Sequence, residues 1–185
     1  MPRPLREQIE GGIYHVFARG NRRSVVFRDD ADYLHYLALL GGVVIAKRWR
    51  CLAYCLMPNH VHLLVETPEA NLARGVQYLH GFYAHGFNAR YQLSGHLFQG
   101  RYGSKPVRDD AQFLSVLRYI ALNPIEGGLC SRPGEWQWDS YGAAMSSDAP
   151  RWLDVDGIFR HLSLWNRDPR RGYAELVSDG IRAPA

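Results

Sequence analysis

The sequence predicts an α+β domain in which helices cover one antiparallel sheet, and three observations lead to this fold class. Short apolar runs bounded by Gly, Pro and Asn alternate with two long segments of helical periodicity. The predicted elements follow the order β-α-β-β-α-β-α, which is the ferredoxin-like βαββαβ pattern. The chain has 185 residues, of which 46% are hydrophobic, so it is long enough for one sizeable core and short for two.

The first half of the chain supplies a strand, a helix and a pair of strands. We predict a strand from Gly12 to Ala18, a helix from about Asp29 to Arg48, and strands over Cys51–Met57 and His60–Thr67. A tight turn at Pro58 and Asn59 joins the last two strands. The helix assignment depends on apolar residues that share one face, namely Tyr33, Tyr36, Leu37, Leu40 and Val44.

The second half of the domain supplies another helix, a strand and the helix that carries a tyrosine. A helix is expected from about Asn71 to Tyr91, with Leu72, Val76, Leu79, Tyr83 and Phe87 on its buried side. The segment His96–Val107 predicts a strand or an irregular basic hairpin. A third helix begins near Asp109 and is expected to end before Pro124, since the residue before a proline avoids helical geometry.

The chain is expected to divide into a main domain, residues 1–128, and a C-terminal appendage, residues 129–185, packed on that domain. Four tryptophans are expected to pack the appendage onto the domain: Trp136, Trp138, Trp152 and Trp165. Residues 166–185 are expected to fray.

Two histidines in the predicted strand His60–Thr67 are the strongest candidate for a functional site. Strand side chains alternate between faces, so His60 and His62 leave the same face. Imidazole is the commonest metal-ligating side chain, and the pair therefore indicates a metal site on the face that the first two helices leave open. The chain has 8 His, so a chance pair of ordinary histidines is the alternative.

The predicted third helix carries a polar but uncharged stripe beside its apolar one. At 3.6 residues per turn, Tyr119 and Asn123 lie one turn apart on that stripe. We expect this helix to cover the open face of the sheet and to bring Tyr119 toward the histidine pair. The alternatives are that Tyr119 packs at the edge of a core and that Asn123 is a helix C-terminal residue.

Further segments occur in a fixed order between residues 11 and 141. They are Tyr14-His15-Val16, Arg19-Gly20-Asn21-Arg22-Arg23, Met57–Leu64, Phe98-Gln99-Gly100-Arg101-Tyr102, Arg118–Pro124 and Trp136–Tyr141. This set resembles the REP-associated tyrosine transposases, a branch of the single-tyrosine HUH endonucleases and small insertion-sequence transposases. Two positions depart from the family pattern, because Ser is expected where Asp139 stands and a basic residue near Glu126.

The resemblance implies an HUH endonuclease fold and a DNA-cleaving chemistry. Tyr119 would be the nucleophile, and His60, His62 and Asn123 would hold one divalent ion, Mg²⁺ or Mn²⁺. The family cleaves single-stranded DNA beside hairpins of repetitive extragenic palindromes and forms a 5′-phosphotyrosine. Glu66, which shares the histidine face, and His15, on a neighbouring strand, are further candidates for binding the ion or orienting a ligand.

Two clusters are candidates for contacts with DNA. Basic side chains mixed with aromatic rings suit single strands, since charge follows the phosphates and rings stack on unpaired bases. The net charge of +4 agrees with a polyanionic partner. The first cluster follows the first strand and the second flanks the tyrosine helix; they comprise Arg19, Asn21, Arg22, Arg23, Arg101, Tyr102, Lys105 and Arg108.

Other classes of protein share parts of this pattern. A non-catalytic single-stranded DNA or RNA binding module can have the same βαββαβ order, although RNA-recognition domains carry aromatic residues where this chain has His60 and His62. A metallonuclease that uses water and a domesticated relative that only binds DNA are the remaining alternatives.

The cellular setting is expected to be the bacterial cytoplasm. No apolar run approaches the roughly 18 residues that span a bilayer, and the N-terminus contains no signal-peptide core. The 3 Cys fit neither a disulfide framework nor a zinc pattern, which favours reduced thiols. We expect a monomer, with a dimer that exchanges tyrosine helices as the alternative.

Overall fold

The computed structural model, which describes residues 8–182, follows the predicted order of elements and then adds three helices. The elements are β1 (Gly12–Arg19), α1 (Asp30–Ala46), β2 (Arg50–Met57), β3 (His60–Thr67), α2 (Leu72–Tyr91), β4 (Gly103–Val107), α3 (Asp110–Glu126), α4 (Ser140–Met145), α5 (Val155–Ser163) and α6 (Pro169–Arg182). Residues 1–7 of the predicted main domain and residues 183–185 of the predicted C-terminal appendage lie outside the described residues. Within residues 8–182, no helix is both long and apolar enough to cross a bilayer.

The four strands form one antiparallel sheet in the order β2-β3-β1-β4, which confirms the ferredoxin-like α+β fold. The two central strands are β1 and β3, and Phe17 lies directly opposite His62 in their register. On the other side of β1, His15 lies opposite Lys105 of β4. Residues of β1 therefore stand next to the predicted histidine pair.

The sheet face under α1 and α2 is an apolar core. Val61 and Leu63 of β3 point to this face and are fully buried. Every residue predicted for the buried side of α2 is buried, and Tyr83 of α2 contacts Tyr36 of α1 edge to face, with ring centroids 5.0 Å apart. Strand alternation places His60 and His62 on the opposite face.

The helix over that opposite face, α3, begins where the sequence predicts and ends later. Asp109 is its N-cap and accepts a hydrogen bond from the backbone N–H of Gln112 at 2.7 Å. The prediction that Pro124 ends the helix is wrong, since α3 continues to Glu126. A proline removes one backbone donor from a helix. The helical hydrogen bond at the end of α3, from the N–H of Gly127 to the carbonyl of Asn123, still forms at 2.8 Å.

The C-terminal segment packs on the sheet edge and on α3. Trp138 stacks on Tyr33 of α1 at 4.6 Å, and the indole N–H of Trp136 donates to the carbonyl of Leu56. The expectation that Trp165 packs inward is wrong, because it is 62% exposed.

The expectation that residues 166–185 fray is also wrong for residues 169–182, which form α6. Tyr173 and Val177 of this helix are buried, and α6 packs against α3. Apolar contacts with the rest of the chain hold this segment, and contacts of that kind do not appear in a local sequence pattern.

Asp139, where the family pattern has Ser, is buried at the start of α4. Its Oδ1 accepts hydrogen bonds from the backbone N–H groups of Tyr141 and Gly142, so the side chain serves as a helix N-cap. Among the described residues, nothing is within hydrogen-bonding distance of its Oδ2. Burial raises the pKa of this carboxyl to about 7.

Candidate active site

The histidine pair lies on the sheet face under α3, as the strand period predicts. The ring centroids of His60 and His62 are 5.0 Å apart, with the ring planes nearly perpendicular. His62 is 7% exposed and His60 is half-buried. Burial lowers the pKa of both imidazoles, that of His62 to about 3. Both rings are therefore neutral at physiological pH and keep a lone pair for a ligand.

Tyr119 is carried by α3 to the same place. Its ring centroid lies 5.2 Å from that of His62 and 5.8 Å from that of His15, and both contacts are edge to face. The side chain is 40% exposed, so it packs on the imidazoles from one side and stays open to solvent on the other. A solvent-accessible phenol beside two neutral imidazoles of its own chain can reach a phosphate that docks there.

Asn123, on α3, faces His60, on β3. The Oδ1 atom of Asn123 is 3.2 Å from Nε2 of His60, and its Nδ2 group donates to the carbonyl of Tyr119 at 3.1 Å. The second hydrogen bond fixes which end of the amide faces the imidazole.

The other nitrogen of His60 faces a second amide oxygen. Its Nδ1 atom is 2.6 Å from Oδ1 of Asn59, whose Nδ2 group donates to the carbonyl of Arg23. A neutral imidazole has one N–H, which the shorter contact assigns to Nδ1. The lone pair of Nε2 then faces a lone pair of Asn123. In this tautomer the two lone pairs repel each other, and a cation bound by both atoms would relieve that repulsion, so these residues fit a metal ion.

His62 has a hydrogen-bonding partner in His15. Nδ1 of His62 lies 2.9 Å from Nε2 of His15, and burial lowers the pKa of His15 to about 4. Both rings are neutral, so only one of them donates in this contact. When His62 donates through Nδ1, its Nε2 is left as an electron-pair donor, which is the form that a metal requires.

The spacing of His60 and Asn123 would suit two ligands of one divalent ion. Adjacent ligands of an octahedral Mg²⁺ are about 3 Å apart, close to the 3.2 Å between His60 and Asn123. Within residues 8–182, no three His, Cys, Asp or Glu side chains form a metal-binding group. The protein groups that would hold an ion here are thus the imidazoles of His60 and His62 and the amide of Asn123.

Glu66 is not brought to this cluster. It lies four residues along β3 from His62, about 13 Å in an extended strand, and accepts a hydrogen bond from the guanidinium of Arg50 at 2.8 Å. This ion pair at the far end of β3 accounts for the carboxylate, and the interpretation of Glu66 as a ligand is wrong for this structure. His15, in contrast, is directly in contact with His62.

The loop after β1 lies beside the site and has an unusual backbone. Arg22 and Arg23 are exposed and adopt left-handed φ angles of 54° and 60°, which non-glycine residues seldom do. Arg19, Arg23 and His60 line one concavity of about 420 Å³. The positive charge of Arg19 helps to lower the pKa of His60 and His62. Asn21 is exposed in the same loop, so the predicted first cluster surrounds one entrance to the site.

The second predicted cluster is divided by the fold. Lys105 stands on β4 opposite His15 and contributes to lowering the pKa of that histidine, so it flanks the catalytic face. Arg108 is exposed at the start of α3, and Arg101 lines a separate concavity beside α2. The expectation that Tyr102 stacks on bases is wrong, because its ring is only 8% exposed and packs in the core.

Asn59 is a residue that the sequence reasoning missed as part of the site. It occupies the tight turn before β3, where an Asn needs no functional explanation. Its position directly before the first histidine was the only available signal, and the contact with Nδ1 of His60 depends on a side-chain orientation that the sequence does not specify.

Comparisons with known proteins agree with the fold and the resemblance. A Haemophilus influenzae protein described as a REP-associated tyrosine transposase is 31% identical over 101 residues, which cover 48% of this chain and 57% of that relative. The chain therefore matches little more than half the length of this relative. A solved structure described as a REP-associated tyrosine transposase bound to a REP hairpin superposes with a TM-score of 0.67 and 18% identity, covering 84% of this chain and 90% of the other. It supports the fold.

The sequence pattern of the family described as IS200-like transposases matches residues 8–123. That stretch includes both histidines of the pair, Tyr119 and Asn123. The chain belongs to the IS200-like transposase family, and within that family it is similar to the REP-associated tyrosine transposases.

Proposed function

We propose that this transposase-family protein cleaves single-stranded DNA with Tyr119 in a reaction that depends on one divalent cation, Mg²⁺ or Mn²⁺. The observation that carries the proposal is the convergence of Tyr119, His60, His62 and Asn123 on one partly open face. Oxygen and imidazole donors accept both metals, and imidazole favours Mn²⁺ over Mg²⁺.

The chain's own residues would hold the ion and direct it toward DNA. His60 and His62 through Nε2 and Asn123 through Oδ1 are neutral donors, so the bound ion would keep its full charge toward the substrate. Such an ion stabilises the charge that develops on a phosphodiester and favours a nearby phenolate. Asn59 and His15 lie at the Nδ1 atoms of the two imidazoles and would hold them in the tautomers that leave Nε2 unprotonated.

The proposed step exchanges one phosphoester bond for another. The phenolic oxygen of Tyr119 forms a bond to phosphorus while the bond from phosphorus to the 3′ oxygen breaks. The phenol's proton passes to water at the exposed side of the ring, and the leaving 3′ oxygen takes a proton from water. The products are a 5′-phosphotyrosine and a free 3′ hydroxyl. Because the bond energy is retained, a second 3′ hydroxyl can reverse the step and join a new strand without ATP.

The DNA substrate is proposed to be a single strand beside a hairpin of a repetitive extragenic palindrome. The similar solved structure is a transposase bound to such a hairpin, which supports this choice. In this chain, Arg19, Arg22 and Arg23 on one side and Lys105 on the other could contact phosphates that lead into the site. Phosphate contacts of this kind fix the register of DNA on a protein and carry little sequence information.

The experiment that tests the proposal is a covalent-adduct assay. End-labelled single-stranded hairpins with randomised flanks are mixed with the full chain and Mn²⁺ and separated on a denaturing protein gel. We expect a shifted band that EDTA abolishes and that is absent from Tyr119→Phe, which keeps the ring and its packing. Tyr91→Phe, a substitution at an ion-pair cluster outside the site, is the matched control and should keep the band.

Two results would contradict the proposal. An undiminished band in Tyr119→Phe would exclude this tyrosine as the nucleophile. Cleaved strands without any adduct would assign the reaction to a metallonuclease that uses water. Sequencing of the trapped strands would identify the bases beside the hairpin.

A further inference from the structure

A second surface with the composition of a nucleic-acid binding site lies along the outer side of α2. Two concavities of about 520 and 600 Å³ lie side by side there and share Gln77 and Gly81 on their walls. The surface belongs to the layer of α1 and α2, and the sheet separates this layer from the face that carries His60 and His62. The proposed chemistry does not use this surface.

The charge of this surface is of one sign. Arg101 lines the first concavity, and Arg74 and Lys47 line the second. Among the described residues on the walls of the two concavities, none is acidic. The chain has 18 acidic residues, and none of those that the structure describes lines these two concavities. A surface with basic and no acidic side chains favours a polyanionic ligand.

Two aromatic rings on this surface face solvent. Tyr78 and Phe82 are 49% and 52% exposed, and their ring centroids are 4.2 Å apart. They lie four residues apart on one helical face, so they form a continuous platform beside Arg74. Exposed rings interleaved with basic side chains are the arrangement on which unpaired bases stack while the backbone phosphates meet cations.

Gly81 between the two concavities has no role in packing. Helix α2 contains three glycines, and two of them are explained by neighbours: a Cβ at Gly75 would meet Trp49 at 2.2 Å, and one at Gly86 would meet His35 at 3.2 Å. A Cβ at Gly81 would meet nothing within 4 Å. A glycine inside a helix costs about 0.5–1 kcal/mol relative to alanine, and here no contact within the described chain offsets that cost. A bare stretch of helix instead permits close approach of a ligand.

We propose that this surface, defined by Arg74, Tyr78, Gly81, Phe82 and Arg101, is a second binding tract for single-stranded DNA. It would hold unpaired nucleotides independently of the catalytic face, with bases stacked on the two rings and phosphates at the arginines and Lys47. Since the tract and the histidine face lie on opposite sides of the sheet, one chain could hold two DNA segments at once. Binding in the tract requires neither a metal nor Tyr119.

Binding of a fluorescein-labelled 20-nucleotide oligothymidine to the full chain tests this proposal. The titration is followed by anisotropy in EDTA, so that cleavage does not contribute. In the variant Arg74→Ala, Tyr78→Ala, Phe82→Ala we expect affinity to fall by about tenfold or more, the loss expected for removing one or two stacking platforms. The matched control is Trp165→Ala, Arg167→Ala, which removes an exposed aromatic and an arginine elsewhere and should bind as wild type does.

Three further measurements make the test independent of folding and of the proposed function. Gly81→Glu adds a carboxylate where a Cβ meets nothing, so it should fold and still weaken binding. An oligonucleotide containing 5-iodouracil should photocrosslink to the tryptic peptide of residues 75–90, which includes Tyr78 and Phe82. The variant His60→Ala, His62→Ala should keep this binding, so loss of cleavage and loss of tract binding are separate results.

Unchanged affinity in the triple variant and in Gly81→Glu, or crosslinks that map elsewhere, would overturn the proposal. Light scattering distinguishes the other occupant. A wild-type dimer that the triple variant converts to a monomer would assign this surface to a second copy of the chain and would also overturn the proposal.

Discussion

The two faces of the sheet differ in the polar side chains that they bury. Under α1 and α2, Val61 and Leu63 are fully buried among aromatic rings. Under α3, the buried side chains include His15, His62 and Asn123, which are 8%, 7% and 6% exposed. One strand, β3, supplies residues to both faces in alternation, so the contrast arises from a period of two residues.

The two faces therefore contribute differently to the stability of the fold and to the proposed chemistry. Burying an apolar side chain stabilises the fold, whereas burying an imidazole or amide costs free energy unless a partner satisfies it. On the α3 face His62 has such a partner in His15 and His60 has one in Asn59, and the same burial keeps the imidazoles neutral. Substitutions on the two faces should therefore have opposite consequences, with cleavage sensitive on one face and stability on the other.

The largest effect is expected from removing both imidazoles that face Asn123 and Tyr119. In His60→Ala, His62→Ala, adduct formation should fall about a thousandfold or more, because several kcal/mol of transition-state stabilisation are lost with the ion. Calorimetric titration with Mn²⁺ should show no binding at this site. His35→Ala, an exposed histidine on α1, is the matched control. Cleavage at the wild-type rate in the double variant would exclude the metal role.

The converse effect is expected on the apolar face. Leu79 of α2 is fully buried, and Leu79→Ala should lower the free energy of unfolding by about 2–5 kcal/mol. The folded fraction should form the adduct at the wild-type rate, since Leu79 lies on the other side of the sheet from Tyr119. Urea unfolding and the adduct assay measure the two quantities. Leu34→Ala, at a leucine that is 59% exposed, should change neither. Loss of adduct in folded Leu79→Ala would show that the faces are not independent.

Much of the candidate site follows from two periods that the sequence displays. Alternation along β3 places His60 and His62 on one face, and the helical repeat of α3 places Tyr119 and Asn123 one turn apart. The predicted order of elements makes β1 a neighbour of β3, which brings His15 within reach. These inferences need only backbone geometry and the position of each residue along its own element.

The features that the sequence did not predict depend on tertiary contacts. The course of α3 past Pro124 and the helix α6 depend on packing against the rest of the chain. A local pattern also cannot tell which aromatic residues in loops turn inward, and the structure buries Tyr102 while it exposes Trp165. The contact of Asn59 with His60 depends on side-chain rotamers in a turn.

A smaller effect on the polar face is expected from the partner of His62. His15 accepts the Nδ1 proton of His62 in the tautomer that binds metal, so His15→Leu should weaken Mn²⁺ binding by about 10–100-fold. In His15→Gln, an amide oxygen can accept the same proton, and part of the affinity should return. Mn²⁺ binding is measured by calorimetry or by the electron paramagnetic resonance signal of the free ion. Equal affinities of the two variants would show that the hydrogen bond does not orient His62.

The smallest effect on cleavage is expected from a buried polar group outside both faces. The Asp139 carboxyl caps α4 through Oδ1, and burial raises its pKa from 3.8 to about 7. Between about pH 4 and pH 7 the folded protein holds a proton that the unfolded chain has released. The stabilisation linked to that proton is therefore present at low pH and is lost as the pH rises through 7.

Asp139→Asn keeps the capping oxygen and removes the titration, so it separates the two roles. At pH 8.5 the variant should be more stable than the wild type by up to about 4 kcal/mol, about 1.4 kcal/mol for each unit of the pKa shift, because the wild type must then bury a carboxylate beside Cys55 and Tyr54. At about pH 3 the difference should disappear, since the side chain of Asp139 is then neutral in both the folded protein and the unfolded chain. Urea unfolding at the two pH values measures the effect, and cleavage should not change. Parallel pH profiles of stability would show that the carboxylate of Asp139 is stabilised in the folded state and that its burial costs no free energy.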